Sequence, residues 1–181
     1  DIPVKETKSI SPVNPYSVSK AFQDMLSQVY FESYKLKIII TRMFSYTNPR
    51  RNDLFQTSFA KQIVDIEKGK KKILFHGNLN SIRNVIDITD AMEAYWLAAK
   101  RGRIGEIYNI SGKKVISVGN YLKELKKLSN VKIKSKIDKK LLRPVDVTLQ
   151  IADARKFIKD TGWSPIISFK ESIKKLLNEF R

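Results

Sequence analysis

The chain of 181 residues contains no cysteine and a single histidine, His76. The first absence rules out a disulfide framework and a thiolate metal site, and the second rules out a multi-histidine metal centre. Glycine is sparse as well. None of its seven positions forms the G-x-G-x-x-G turn through which a backbone approaches a dinucleotide pyrophosphate. No apolar run approaches the roughly 18 residues of a membrane-spanning helix, and no signal-like segment opens the chain. The expectation is therefore a cytoplasmic protein with no membrane contact. Acidic residues are few beside basic ones, 18 against 35, which leaves a net charge of +17. Such an excess attracts phosphate. The lysines are nevertheless scattered along helices and in short clusters such as Lys70 to Lys72, without interleaved aromatics. A solvated lysine-rich surface is the preferred reading, and a basic nucleic-acid-binding domain is the alternative.

What is present centres on Pro12 to Leu36, PVNPYSVSKAFQDMLSQVYFESYKL. Val18, Ala21, Phe22, Met25, Leu26, Val29 and Tyr30 recur at three- and four-residue spacing, and Pro15 suits a first helical position, so the stretch reads as a helix. Tyr16 and Lys20 are one turn apart on it, with Cβ atoms about 5–6 Å from each other. A cation held there favours phenolate over phenol, and the tyrosine could then exchange a proton with a substrate hydroxyl or carbonyl. With 26 lysines and seven tyrosines, about one such spacing arises by chance. The pair alone equally describes a solvated lysine beside a half-buried tyrosine. The context adds weight. Lys37 to Phe44, KIIITRMF, reads as a buried strand, and Ser45 to Asp53 as a polar loop. Helix, strand and loop make half an α/β unit, in which ligands bind beyond the carboxyl ends of strands.

Asp1 to Ser11 reads as a loop, and Asp53 to Gly69 as a second helix with Asp53 as its acidic start. Strands are expected at 73–75 and 82–88. A helix opened by Thr89 and Asp90 follows to Arg101, with Tyr95 and Trp96 assigned to core or interface. A strand at 106–110 precedes a helix at 118–128 capped by Ser117. Lys132 to Ile137 alternates lysine with isoleucine and serine, as an edge strand does. Helices at 152–161 and 168–180 close the chain, and His76 is read as structural.

The runs PVNPYSVSK, RMFSYTNPRR, GNLNSIRNVIDITDAMEAYW, EIYNIS, LLRPVDV and TGWSP, in that order, resemble the C-terminal part of extended short-chain dehydrogenase/reductases that modify nucleotide sugars. The resemblance is to the branch of GDP-mannose 4,6-dehydratase and GDP-4-keto-6-deoxy-D-mannose reductase, and it runs from about Glu6 to the C-terminus. It implies NADP(H), with NAD(H) as the alternative, and a GDP-linked hexose. It also implies that Tyr16 is the acid/base at the C4 oxygen, with Lys20 beside it touching the nicotinamide ribose. Arg42, Phe44 and Pro49 match the family's Arg-x-Phe-Asn-x-x-Gly-Pro pattern. Ser45 stands where the asparagine that contacts the sugar nucleotide is usual, and Asn48 where the glycine is. Asparagine suits that second position if the backbone there is left-handed. The resemblance further places Arg50 and Arg51 near cofactor phosphates, Phe55 and Gln56 beside the base, and Asn78 on the substrate. It makes Arg83 and Arg143 a two-sided clamp on the diphosphate, with Asn84 where an aspartate is usual.

In that family the glycine-rich turn opens the protein well over a hundred residues before the tyrosine, so the chain is expected to be a C-terminal fragment, inactive alone. The expected fold is α/β: the C-terminal part of a doubly wound, Rossmann-type parallel sheet plus a small mixed substrate-binding lobe. Residues 1–52 would finish the dinucleotide domain. Residues 53–181 would form mainly the substrate lobe, with about 82–101 returning to the dinucleotide domain. The resemblance also implies a homodimer through helix 16–35. Local details at 59–62, 87–90 and 142–147 favour reductase over dehydratase. A non-catalytic dimerisation or binding fragment remains the alternative of another class.

Overall fold

The computed structural model describes residues 2–142 and 145–181, so Arg143 lies outside the described residues. In chain order the elements are α1 (Pro15–Tyr34), β1 (Ile40–Met43), β2 (Tyr46–Thr47), α2 (Phe55–Glu67), β3 (Leu74–His76), β4 (Ile82–Asp87) and α3 (Ile88–Arg101). There follow β5 (Ile107–Ile110), β6 (Lys114–Ser117), α4 (Val118–Lys127), β7 (Ser135–Ile137), a 3-10 turn (Lys139–Leu141), β8 (Leu149–Gln150), α5 (Arg155–Thr161) and α6 (Phe169–Asn178). The chain is α/β, with mostly parallel pairing as expected. β1 runs parallel to β5, with Ile40 opposite Ile107 and Met43 opposite Ile110. β4 is the hub of the largest sheet: β2 and β8 pair with it in parallel, and β6 in antiparallel. β3 and β7 form a separate parallel pair.

Local chemistry sets the helix ends. Asn14 and Ser17 form a reciprocal cap at the start of α1, with Asn14 Oδ1 accepting from the Ser17 amide at 2.8 Å and Ser17 Oγ from the Asn14 amide at 3.0 Å. Pro15 takes the first helical position. Ser117 caps α4 as its position suggests. Two starts differ from expectation. Asp53 does not cap α2, which opens on Leu54 without a side-chain cap. The cap of α3 is Asp87, which accepts from the Thr89 amide, so the helix begins at Ile88. The buried Asp90 carboxylate instead accepts from the Ile166 and Ile167 amides at 3.1 and 3.0 Å, holding the chain that leads to α6.

Alternation along β4 explains the two-part core. Adjacent residues of a strand point to opposite faces, and Val85 joins one buried cluster while Ile86 joins the other. The first gathers Phe59, Ile63, Leu74, Tyr121, Leu125, Ile173 and Leu177. The second gathers Ala91, Ala94, Ala98, Tyr108, Ile110, Phe157 and Trp163. Two pieces of polar chemistry close edges. The Gln62 side chain imitates a strand against β3, donating to the Phe75 carbonyl at 3.0 Å and accepting from its amide at 2.8 Å. The loop that precedes α1, expected from its sequence, is tied to the sheet: the Val4 amide donates to the Ile151 carbonyl at 2.7 Å, and Glu6 Oε1 accepts from the Asn109 amide at 2.8 Å. Tyr95 and Trp96 are not core residues; they are 40% and 60% exposed on α3.

Asp153 carries a measurable pH signature. It is buried and accepts from the Arg155 Nε at 2.9 Å and Nη2 at 2.6 Å, and this guanidinium, reinforced by the Arg155 amide, holds its carboxyl at about 2. An unfolded aspartate titrates near 3.9, above the folded value, so the stabilisation is complete above roughly pH 4 and is lost as pH falls through about 2. Because the Arg155 guanidinium is well solvated, we expect about 1 kcal/mol rather than the full shift. Urea midpoints of wild type and Asp153→Asn should differ at pH 7 and converge near pH 2; a constant difference would refute the assignment.

Candidate active site

The start of α1 presents Tyr16 and Lys20 to solvent on one face of the helix. Lys20 Nζ lies 5.8 Å from the centroid of the Tyr16 ring and donates to Gln23 Oε1 at 3.1 Å, and the tyrosine is 69% exposed. Among the described residues, one ion pair holds the helix to the sheet. Arg42 of β1 donates to both Asp24 oxygens, from Nε at 2.7 Å and Nη2 at 3.0 Å, and to the Glu6 carbonyl at 2.8 Å. This pair also sets the register of helix against strand. Tyr16 lies eight residues before Asp24, roughly 12 Å along the helix. Ser45 lies three residues after Arg42, roughly 10 Å along the strand. The Phe31 ring lies against Gly105, whose amide donates to the Ile38 carbonyl ahead of β1, while Asp24 meets Arg42 further along, so α1 runs back along the strand and its start lies toward the carboxyl end of β1. Little else binds α1 to the described residues: only Ala21 is buried, while Val18, Phe22, Met25 and Val29 are each at least half exposed. Replacing Asp24 with asparagine should therefore cost about 2 kcal/mol, the scale of a charge-assisted hydrogen bond. The amides of α1 should lose hydrogen-exchange protection before those of β4, and equal loss everywhere would contradict this anchoring role.

Ser45 is pinned from two sides. Its carbonyl accepts from the Ile86 amide at the end of β4 at 3.1 Å, and its hydroxyl accepts from Gln56 Nε2 at 2.8 Å. Gln56, expected beside the base, is instead fully buried with its amide committed to Ser45, so it cannot face a ligand, while Phe55 next to it is half-buried and stacks edge-on against Tyr121. Asn48 is not left-handed: Lys35 is the one non-glycine residue with positive φ among the described residues. Asn48 instead closes its turn by accepting from the Arg50 amide at 2.9 Å, and its carbonyl accepts from Thr57 Oγ1 at 2.7 Å. Arg50 is exposed. Arg51 is engaged by Asp53 through Nε at 2.7 Å and Nη2 at 2.5 Å, and this bond raises its already high pKa.

A second group lies at the start of β4. Arg83 comes three residues before Ile86, roughly 10 Å back along the strand from the Ser45 contact. Its guanidinium is held by the Ile82 carbonyl at 2.9 Å and by Asp146 at 3.7 Å. The same carboxylate accepts from Asn78 Nδ2 and Ser81 Oγ, both at 2.8 Å. Asp146 thus supplies the orienting charge that Asn84 does not. Asn84 is buried and spends its amide on the Gly112 carbonyl at 2.9 Å and the Ala152 amide at 2.7 Å. Sequence reasoning missed Asp146, although it belongs to the LLRPVDV run. Beside this network an open cleft of about 370 Å³ is lined by His76, Gly77, Asn78, Leu79, Asn80, Ile137, Leu142 and Asp146. Gly77 is required there, because a Cβ would come 2.6 Å from the Leu141 carbonyl oxygen. His76 Nδ1 lies 2.9 Å from the Gly77 carbonyl, a local contact on the rim of the cleft.

Comparison with known proteins places this arrangement. A family model described as GDP-mannose 4,6 dehydratase matches residues 1–176. Human dTDP-D-glucose 4,6-dehydratase is 30% identical over 97% of the chain and 51% of its own length. GDP-6-deoxy-D-mannose reductase of Pseudomonas aeruginosa is 24% identical over 99% of the chain and 60% of its own length. The chain spans about half to three-fifths of these curated relatives. Among solved structures, RMD from Pseudomonas aeruginosa complexed with NADPH superposes with a TM-score of 0.91 at 23% identity, covering 99% of the chain and 60% of that one. UDP-glucuronic acid 4-epimerase from Bacillus cereus, in complex with UDP-glucuronic acid and NAD, gives 0.86 at 25% identity, covering 98% and 57%. A mostly parallel α/β fold and a family match over nearly every residue lead to one assignment: the chain belongs to the GDP-mannose 4,6-dehydratase family of extended short-chain dehydrogenase/reductases.

Proposed function

We propose that the whole protein carries out NADP(H)-dependent redox chemistry at C4 of a GDP-linked hexose, as a GDP-4-keto-6-deoxy-D-mannose reductase, with the closely related GDP-mannose 4,6-dehydratase as the second reading. The observation that carries this is Tyr16 and Lys20 facing solvent side by side at the start of α1, the helix that Asp24 ties to Arg42 of β1. The relatives that bind NADPH or NAD and act on nucleotide sugars support the reading.

The side chains fit one end of the cofactor. Lys20 offers ammonium donors of the kind that ribose hydroxyls accept, with the phenol beside it, and the exposed Arg50 offers a cation for phosphate. Bound NADP(H) supplies the hydride for C4. Tyr16 donates its hydroxyl proton to the C4 oxygen as the carbonyl becomes an alcohol, and Lys20 places a positive charge beside the phenolate that results. The phenolate then regains a proton from solvent. Arg83, oriented by Asp146, would take the diphosphate, with Arg143 as its opposite jaw. Asn78 and the half-buried Phe55 would line the remainder of the substrate. In this reading residues 1–52 complete the dinucleotide domain, 53–181 form mainly the substrate lobe, and 82–101 return to the dinucleotide side. The uncovered apolar face of α1 would pair with a second copy. No helix among the described residues is long and apolar enough to cross a membrane, and the reading places the enzyme in the cytoplasm.

The test gives the whole protein either NADPH with the GDP-4-keto-6-deoxy sugar or GDP-mannose with NADP. Consumption of NADPH in the first mixture identifies the reductase, and appearance of a 4-keto-6-deoxy product in the second identifies the dehydratase. Inactivity in both would refute the proposal.

A further inference from the structure

Buried polar atoms almost always find partners. Among the described residues, Gln56 Oε1 and Tyr121 Oη are the buried side-chain oxygens without one. Gln56 is the more informative, because its other amide atom is committed: Nε2 donates to Ser45 Oγ at 2.8 Å while the side chain is fully enclosed. The direction of that bond matters. If the amide were reversed, Oε1 would accept the Ser45 proton and the serine would have nothing left to donate. In the arrangement present, the serine oxygen receives a hydrogen bond and its own O–H remains available. The Ser45 backbone is fixed too, since its carbonyl accepts from the Ile86 amide at 3.1 Å. Ser45 is half-buried just beyond the carboxyl end of β1, and α1, which carries Tyr16 and Lys20 at its start, runs back along that strand toward this end. A donor held from both α2 and β4, before any ligand arrives, costs less ordering when a ligand binds.

We propose that Gln56 is a positioning residue: it orients the Ser45 hydroxyl as a preset hydrogen-bond donor to an oxygen of the sugar nucleotide. The inference rests on the reading of the site as a nucleotide-sugar enzyme and adds a determinant of substrate binding. Gln56 does not touch the ligand, so its influence passes entirely through Ser45.

Steady-state kinetics of the whole protein, with NADPH and the GDP-4-keto-6-deoxy sugar as probe, test this. Ser45→Ala should raise the KM for the sugar nucleotide about tenfold, with the KM for NADPH unchanged. Gln56→Glu puts an acceptor where the donor was and should consume the serine proton, giving a KM rise of similar size. The double variant should be no worse than Ser45→Ala, because both changes remove one interaction. Ser45→Thr, which keeps the hydroxyl, should stay close to wild type. The proposal is overturned if Ser45→Ala keeps the wild-type KM, or if the two penalties multiply to about a hundredfold. It is also overturned if folded Gln56→Glu is kinetically silent. Should Gln56→Glu fail to fold, Gln56→Met, which lacks a donor and has similar bulk, takes its place in the cycle. Tyr16→Phe separates the levels of failure. Silence at Tyr16 would remove the enzyme reading itself, whereas loss of turnover there with silent Ser45 and Gln56 variants would remove only this inference.

Discussion

Tyr16→Phe should lower the kcat of the whole protein by about 10²–10⁴-fold, the range general acid/base groups supply, and leave its thermal midpoint where it was. The two halves of that expectation have separate grounds. The hydroxyl is the sole group of this residue that can deliver a proton to a C4 oxygen. The ring, 69% exposed at the start of α1, contributes little to the described core. Lys20→Met removes the neighbouring charge while keeping the stem, and should depress turnover in the same direction. A Tyr16→Phe enzyme with wild-type kcat would mean that another group carries the proton.

The largest structural effect is expected from Gly112→Ala. A Cβ at that position would lie 2.0 Å from the Val85 carbonyl oxygen and 3.0 Å from the Ile86 Cα, atoms of β4 with no room to yield. The Gly112 carbonyl also accepts from the buried Asn84 amide at 2.9 Å, so a backbone shift there costs a second contact. Overpacking against backbone in this setting should cost about 3 kcal/mol, or about 6–12 °C in thermal midpoint for a chain of this size. Because β4 carries Arg83 and holds Ser45, substrate affinity should fall with it. Gly69→Ala is the contrast. Gly69 has φ +71° and nothing within 4 Å of where an alanine methyl would stand, so only the backbone penalty of about 1 kcal/mol applies. Equal effects of the two substitutions would contradict the packing argument.

Sequence periodicity located α1, α4 and the terminal helices because three- and four-residue spacing, Pro15 and the Ser117 cap all act locally. It could not say what covers the apolar face of α1, since spacing identifies a face and not its partner. The strands β2 and β6 escaped for a different reason. Tyr46–Thr47 has two residues inside a polar loop, and Lys114–Ser117 is too short to show alternation; both exist through pairing with β4. The site was legible where chemistry follows one helical turn, as with Tyr16 and Lys20. It was not legible where distant residues meet: Arg42 reaches Asp24 across 18 positions, and Asn78 reaches Asp146 across 68. In neither pair do the two residues lie in the same element, so no secondary-structure period links them. Asn48 looks in sequence like a stand-in for glycine, while its real device is a side-chain turn closed on the Arg50 amide.

Hydride delivery to C4, completed by a proton from Tyr16, is the central claim, and isotope transfer tests it most directly. The whole protein is given 4-deuterated NADPH of either face together with the GDP-4-keto-6-deoxy sugar, and the product is analysed by mass spectrometry and NMR. One deuterium bound to C4, from one face of the cofactor only, in a product that Tyr16→Phe forms about 10²–10⁴-fold more slowly, is the predicted result. A product without deuterium at C4, or labelled product formed at the wild-type rate by the Tyr16→Phe protein, would contradict it.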